Sequence, residues 1–138
     1  MGRVIAIDFG LKRTGLAVTD PLRIIASALE TVDSTRLMAF LVAYCASDQV
    51  DGFVIGLPRN LDGTDTDVTA NARMLAEEIR RRLSPRFVEL ADERFTSKLA
   101  QGTLLASGKG RMARREKGQL DRISATIILQ DWLSRQAR

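Results

Sequence analysis

The sequence predicts an α/β fold, a five-stranded mixed sheet with helices on both faces, on two observations. Three short apolar segments open the chain, separated by turns with no room for a helix. Segments with a helical period then alternate with further strand-like ones. Short turns join antiparallel neighbours, whereas a strand–helix–strand crossover joins parallel ones, so this order requires a mixed sheet. At 138 residues the chain can bury one substantial core and is short for two, so residues 1–138 are expected to form a single domain.

Each element has its own reason. Val4 to Asp8 is continuously apolar until its last residue, the pattern of a strand buried on both sides. After a glycine-bearing turn over Phe9 to Arg13, Thr14 to Asp20 reads as the second strand and Pro21 breaks it. Ile24 to Thr31 supplies a third. Ser34 is placed to cap a helix whose residues 37, 40, 41, 44 and 45 share one face. Gly52 to Gly56 is the fourth strand, followed by a polar loop from Leu57 to Thr66. Thr66 or Asp67 then caps a helix carrying Val68, Ala72, Leu75, Ile79 and Leu83 on one stripe. Pro85 follows its end, and Phe87 to Ala91 is the fifth strand. A helix starting at Thr96 is expected to stop near Ser107-Gly108, and the last runs from about Gln119 to Ser134.

Composition excludes several chemistries. There is no histidine and one cysteine, so neither an internal disulfide nor an ordinary zinc site can form, and a cysteine nucleophile would lack a histidine base. Cys45 shares its helical face with Leu37, Phe40, Leu41 and Tyr44, which makes it a small core residue. Only four consecutive apolar residues precede Asp8, and no later run approaches a membrane span. A cytoplasmic protein with no membrane partner is expected. The charge is local: Lys109, Arg111, Arg114, Arg115 and Lys117 stand against Glu116 alone, a net of +4 that equals the charge of the whole chain. A basic loop on a balanced body suits a polyanion such as nucleic acid, although a solvated connection would have the same composition.

Three distant acids, Asp8, Glu93 and Asp121, each lie where an apolar segment meets a loop. The carboxyl ends of parallel strands gather in one region of an open α/β sheet, where ligands usually bind. Asp8 and Glu93 both follow strands there. Asp121 must come from a helix, and the small Ser124 and Ala125 on its face would let that helix approach the sheet. Carboxylates drawn together repel, so the cluster calls for one or two hard divalent cations, Mg2+ or Mn2+, with oxygen ligands. Two such ions roughly 3.5 to 4 Å apart suit in-line displacement at a phosphodiester. Spacing alone leaves open the use of these acids as caps and turn residues.

The strings Ile5-Ala6-Ile7-Asp8-Phe9-Gly10, Lys12 to Asp20, Gly56-Leu57-Pro58-Arg59-Asn60-Leu61-Asp62-Gly63, Asp92-Glu93-Arg94-Phe95-Thr96-Ser97 and Leu120 to Ala125 together resemble the YqgF family. These bacterial proteins are provisionally described as pre-16S ribosomal RNA nucleases and earlier as Holliday junction resolvases. The resemblance spans nearly the whole chain in the same order. It implies a ribonuclease H-like fold, metal-dependent phosphodiester hydrolysis and processing of the 5′ end of pre-16S ribosomal RNA, with Asp8, Glu93 and Asp121 as catalytic, metal-binding acids. Arg13, Arg59 and Asn60 fall where that fold would meet substrate, and with the five basic residues from Lys109 to Lys117 they are assigned phosphate contacts by chemistry and location. Ser124 and Thr126 stand where small apolar residues are usual, and the basic loop is long.

Two other classes compete. Asp8-Phe9-Gly10 to Gly15 also resembles the phosphate loop of actin-like or sugar-kinase-like ATPases, which close two lobes around a nucleotide and need a longer chain. A non-catalytic nucleic-acid-binding module would keep the fold and the basic loop. A resolvase acting on branched DNA would use the same acids but ordinarily as a symmetric dimer. No signature of a large isologous interface is visible, so a monomer or weak homodimer is expected.

Overall fold

The computed structural model describes residues 2–58, 62–92 and 117–136. Their elements are β1 (Arg3–Asp8), β2 (Arg13–Thr19), β3 (Ala26–Asp33), a 3-10 turn (Ser34–Arg36), α1 (Leu37–Ser47), β4 (Val50–Leu57), α2 (Thr69–Arg82), β5 (Phe87–Asp92) and α3 (Lys117–Gln136). The five strands form one sheet in the order β3-β2-β1-β4-β5. Pairs β1–β2 and β2–β3 are antiparallel, and β1–β4 and β4–β5 are parallel, as the meander followed by crossovers requires.

The sheet is buried by helices on both faces. Ile5, Ile7, Leu16, Phe53 and Ile55 pack with Leu37 and Leu41 of α1 and Leu75 and Ile79 of α2. On the opposite face Val4, Ala6, Ala17 and Val54 pack against Ala125, Ile128, Leu129 and Trp132 of α3. Val4 to Ile7 are wholly buried, which explains why β1 is apolar without alternation. Cys45 packs half-buried against the α1–α2 core, and burial raises its thiol pKa.

Most element ends differ from the sequence expectation by one or two residues, and at three of them a polar side chain is used elsewhere than expected. Strand β3 begins at Ala26, not Ile24. The Asp20 carboxylate accepts the amides of Leu22, Ile24 and Ile25, at 2.7 Å for the last two, and holds Ile24 and Ile25 in the turn. Ser34 does not cap α1. Its hydroxyl donates to the Gly10 carbonyl at 2.6 Å and lies 2.8 Å from the Thr14 hydroxyl, tying the β1–β2 turn, while Asp33 accepts the Thr35 amide and caps the 3-10 turn. The residue that caps α2 is Val68, which makes no side-chain cap bond. Thr66 lies one turn outside it, its hydroxyl accepting the Val68 amide at 3.2 Å and its own amide donating to the Thr69 hydroxyl at 2.7 Å. The helix expected from Thr96 falls outside the described residues.

Candidate active site

Asp8 ends β1, and strand alternation decides where it faces. Val4 and Ala6 contact α3, so Asp8 lies on that face too. Across the ladder Asp8 pairs with Gly15, and Gly15 pairs with Thr31, so the three form one row over β1, β2 and β3. The beginning of α3 crosses this row at Gly15. A Cβ there would stand 2.1 Å from the Asp121 carbonyl oxygen and 2.8 Å from the Asp121 Cβ. Only glycine permits that approach, and the approach is what brings Asp121 next to the Asp8 strand.

Arg13 lies two residues before Gly15 on the same face of β2, and its Nε donates to Asp121 Oδ2 at 3.1 Å. The Arg13 side chain is two-fifths exposed, so it is open to a ligand from where it sits. At the first turn of α3 the Thr31 hydroxyl donates to the Gly118 carbonyl at 2.6 Å and accepts from Arg122 Nη1 at 3.3 Å. The small residues expected to admit the helix are in place: Ala125 is fully buried against the sheet and Ser124 nearly so.

The parallel strands align their carboxyl ends with this row. Ile7 pairs with Ile55 and Ile55 with Leu90, so Asp8 is level with Gly56 and Ala91, and β5 runs one residue further to Asp92. Two inter-strand spacings, about 10 Å, separate β1 from β5. Glu93 is the next residue after β5 and lies outside the described residues, as do Arg59, Asn60, Lys109, Arg111, Arg114, Arg115 and the side chain of Lys117. Pro58, which leads into Arg59 and Asn60, is anchored at its carbonyl by the hydroxyls of Thr69 and Thr66 at the start of α2. Of the three expected acids the structure thus sets Asp121 over Gly15, the ladder partner of Asp8, with Arg13 bonded to Asp121. Among the described residues no group of three acids, cysteines or histidines is close enough to hold a metal. Sequence reasoning missed Gly15 and Thr31. An isolated glycine inside a strand pattern was the available signal for the first, since it marks a close backbone approach; nothing local distinguishes Thr31.

A family model described as RuvX, Holliday junction resolvase, matches residues 2–135. The chain belongs to this family. RuvX is the family whose motifs the sequence resembles under the name YqgF. One similar protein, from Porphyromonas gingivalis, is 44% identical over 138 residues and covers all of both chains. Another, from Amoebophilus asiaticus, is 44% identical and covers 100% of this chain and 98% of its own; both are provisionally named pre-16S rRNA nucleases. Among solved structures, Thermus thermophilus RuvC in complex with a Holliday junction substrate superposes with a TM-score of 0.53 at 16% identity, covering 93% of this chain and 92% of its own. That likeness establishes for this RuvX chain the ribonuclease H-like fold, with the five-stranded mixed sheet described above.

Proposed function

We propose that this chain is a metal-dependent endonuclease that hydrolyses phosphodiester bonds, acting as one domain over residues 1–138 on the 5′ end of pre-16S ribosomal RNA. The observation that carries the reading is the Asp8–Gly15 row with Asp121 lodged over it, because a side chain at Gly15 would keep the two acids apart. The names of the full-length relatives support the substrate. The family description and the neighbour solved with a junction favour a second reading, cleavage of branched DNA by the same residues.

The donor set fits a hard cation: Asp8 and Asp121 offer carboxylate oxygens on one face, and Glu93 follows the end of β5, two strands from β1. Bound there, Mg2+ or Mn2+ would supply Lewis-acid stabilisation of the phosphoryl oxygens and an acidified water. Asp8, Glu93 and Asp121 hold that charge in place, and their own repulsion is relieved by it. Arg13, already beside Asp121, binds a substrate phosphate and orients it toward the acids. Arg59 and Asn60, after the end of β4, and Lys109, Arg111, Arg114, Arg115 and Lys117, before and at the start of α3, hold the flanking backbone without reading bases. Among the described residues no helix is long and apolar enough to cross a membrane. The proposed nuclease acts in the cytoplasm as a monomer or weak homodimer.

Cleavage of matched pre-16S RNA, single-stranded DNA and four-way junctions by the wild type and by Asp8→Asn, Glu93→Gln and Asp121→Asn tests this reading. Each variant is expected to lose orders of magnitude in rate while remaining folded. Near wild-type cleavage by Asp8→Asn would refute the mechanism, and preferential cutting of junctions would transfer the substrate to branched DNA. A 2′,3′-cyclic phosphate product would count equally against it, because hydrolysis of this type leaves a 5′-phosphate and a 3′-hydroxyl.

A further inference from the structure

We infer that Thr31, on the edge strand β3, is a positioning residue for Asp121. The inference rests on the reading of Asp121 as a metal ligand and adds to it the group that sets the ligand's aim. Thr31 occupies the third place in the row Asp8–Gly15–Thr31. At Gly15 the row leaves a gap that the Asp121 backbone fills; at Thr31 it presents a hydroxyl to the same helix.

The bonds close a ring around Asp121. The Thr31 hydroxyl donates to the carbonyl of Gly118 at 2.6 Å, and within α3 that carbonyl faces the amide of Arg122 four residues on. Arg122 Nη1 returns a bond to Thr31 Oγ1 at 3.3 Å. Asp121 lies between the two bonded residues. A Cβ on Gly118 would stand 3.4 Å from Thr31 Cβ, at contact distance, so Thr31 leaves room for little more than a methyl group at the first turn of α3. The first turn of a helix frays readily, and fraying of Lys117 to Leu120 would free Asp121, the residue that follows, to sample a range of directions. Gly15 determines how near Asp121 comes to the sheet, but a contact at one point leaves the turn free to rotate. Thr31 supplies a second point on the neighbouring strand, and Arg13 holds the carboxylate itself at 3.1 Å.

The test is calorimetric titration of Mn2+ into the full chain without nucleic acid, with melting temperature as the control for folding. Thr31→Val keeps the β-branched shape and removes the hydroxyl. A direct partner of a metal ligand typically contributes 10- to 100-fold in affinity; because this hydroxyl acts through a helix turn, Thr31→Val should weaken Mn2+ about threefold to tenfold. Thr31→Ser should restore wild-type affinity, and Thr31→Val should add nothing in an Asp121→Asn background. Wild-type affinity in Thr31→Val, alongside weakened binding in Asp121→Asn, would overturn the positioning role and leave the metal reading standing. So would a Thr31→Val effect of undiminished size in the Asp121→Asn background. Unchanged affinity in Asp121→Asn itself would overturn the metal reading, and this inference with it. Thr31→Ala takes the place of Thr31→Val in the same titration if the valine variant does not fold.

Discussion

Gly15 is the residue on which the candidate site is most sensitive to a single methyl group. In Gly15→Ala the new Cβ would meet backbone oxygen at 2.1 Å, and β2 cannot yield locally because it is paired with β1 on one side and β3 on the other. The helix start must lift. A loss of about 1 to 3 kcal/mol in urea unfolding is expected, as for other overpacked sites, together with a fall in cleavage larger than the stability loss explains. Unimpaired cleavage would show that the approach of Asp121 to β1 is dispensable. Acid sensitivity is another residue-scale property. The Gly2 amide, at 2.8 Å, and the Arg23 guanidinium both bond to Asp51 and hold its carboxyl below the ordinary 3.8. The folded chain therefore binds this proton less readily than the unfolded chain does. The stabilisation is present above the unfolded pKa and is lost as pH falls through the folded one. Asp20, chiefly through the Ile25 amide, and Asp33, chiefly through the Thr35 hydroxyl, shift the same way. Melting temperatures followed from about pH 6 to 2 should fall less steeply in Asp51→Asn than in the wild type. Parallel curves would contradict this.

At the scale of elements, α3 matters most, since it supplies both Asp121 and one face of the core. Its far end is held by Trp132, which stacks on Phe87 at 5.9 Å between ring centroids and donates its indole N–H to Glu89. Trp132→Ala should cost about 3 to 5 kcal/mol, whereas Trp132→Phe keeps a ring on Phe87 and should cost less. Chemical denaturation of both variants checks the order, and equal losses would mean that the stack contributes nothing. The segment from Lys109 to Lys117, which leads into α3, is the element expected to grip substrate. Replacing Lys109, Arg111, Arg114, Arg115 and Lys117 by Ala in an Asp8→Asn background should flatten the slope of log K against log salt by about 0.7 for each phosphate no longer neutralised. If two or three of these side chains engage phosphate, the slope on single-stranded substrate changes by about 1.4 to 2.1. An unchanged slope would assign the grip to Arg13 or Arg59. The Arg80-Arg81-Arg82 run is poorly suited to replace them, because each arginine lies within ion-pair distance of Glu77 or Glu78 on α2. The strands and helices were legible from period and punctuation because burial on two faces of one sheet dictates those patterns. The residues that shifted the ends, Asp20 and Ser34, were not. Their side chains bond to partners whose proximity is created by the turns themselves.

For the whole molecule, the expected behaviour follows from acids gathered at one row of a sheet. Mg2+ or Mn2+ should support cleavage; Ca2+ should bind without supporting it, since its looser coordination misplaces the water. Activity that survives exhaustive chelation would refute the reading. In the absence of divalent ions, Asp8→Asn should melt no lower than the wild type and is expected to melt higher, because a neutral amide relieves repulsion near Asp121. A lower melting temperature would assign Asp8 a structural role instead.

The sequence by itself determined the layers of this protein and its family, and it nominated the acids proposed as ligands, because hydrophobic period and short motifs are local properties of a chain. It also excluded an internal disulfide, an ordinary zinc site and histidine chemistry, because the chain has one cysteine and no histidine. Only the tertiary structure decided that Asp8, Gly15 and Thr31 form a row and that α3 lies across it with Asp121 over the glycine. The physical reason is register. Strand pairing and helix docking join residues more than a hundred positions apart, Gly15 and Asp121 among them, and they do so at a precision of a single methyl group that no local pattern carries.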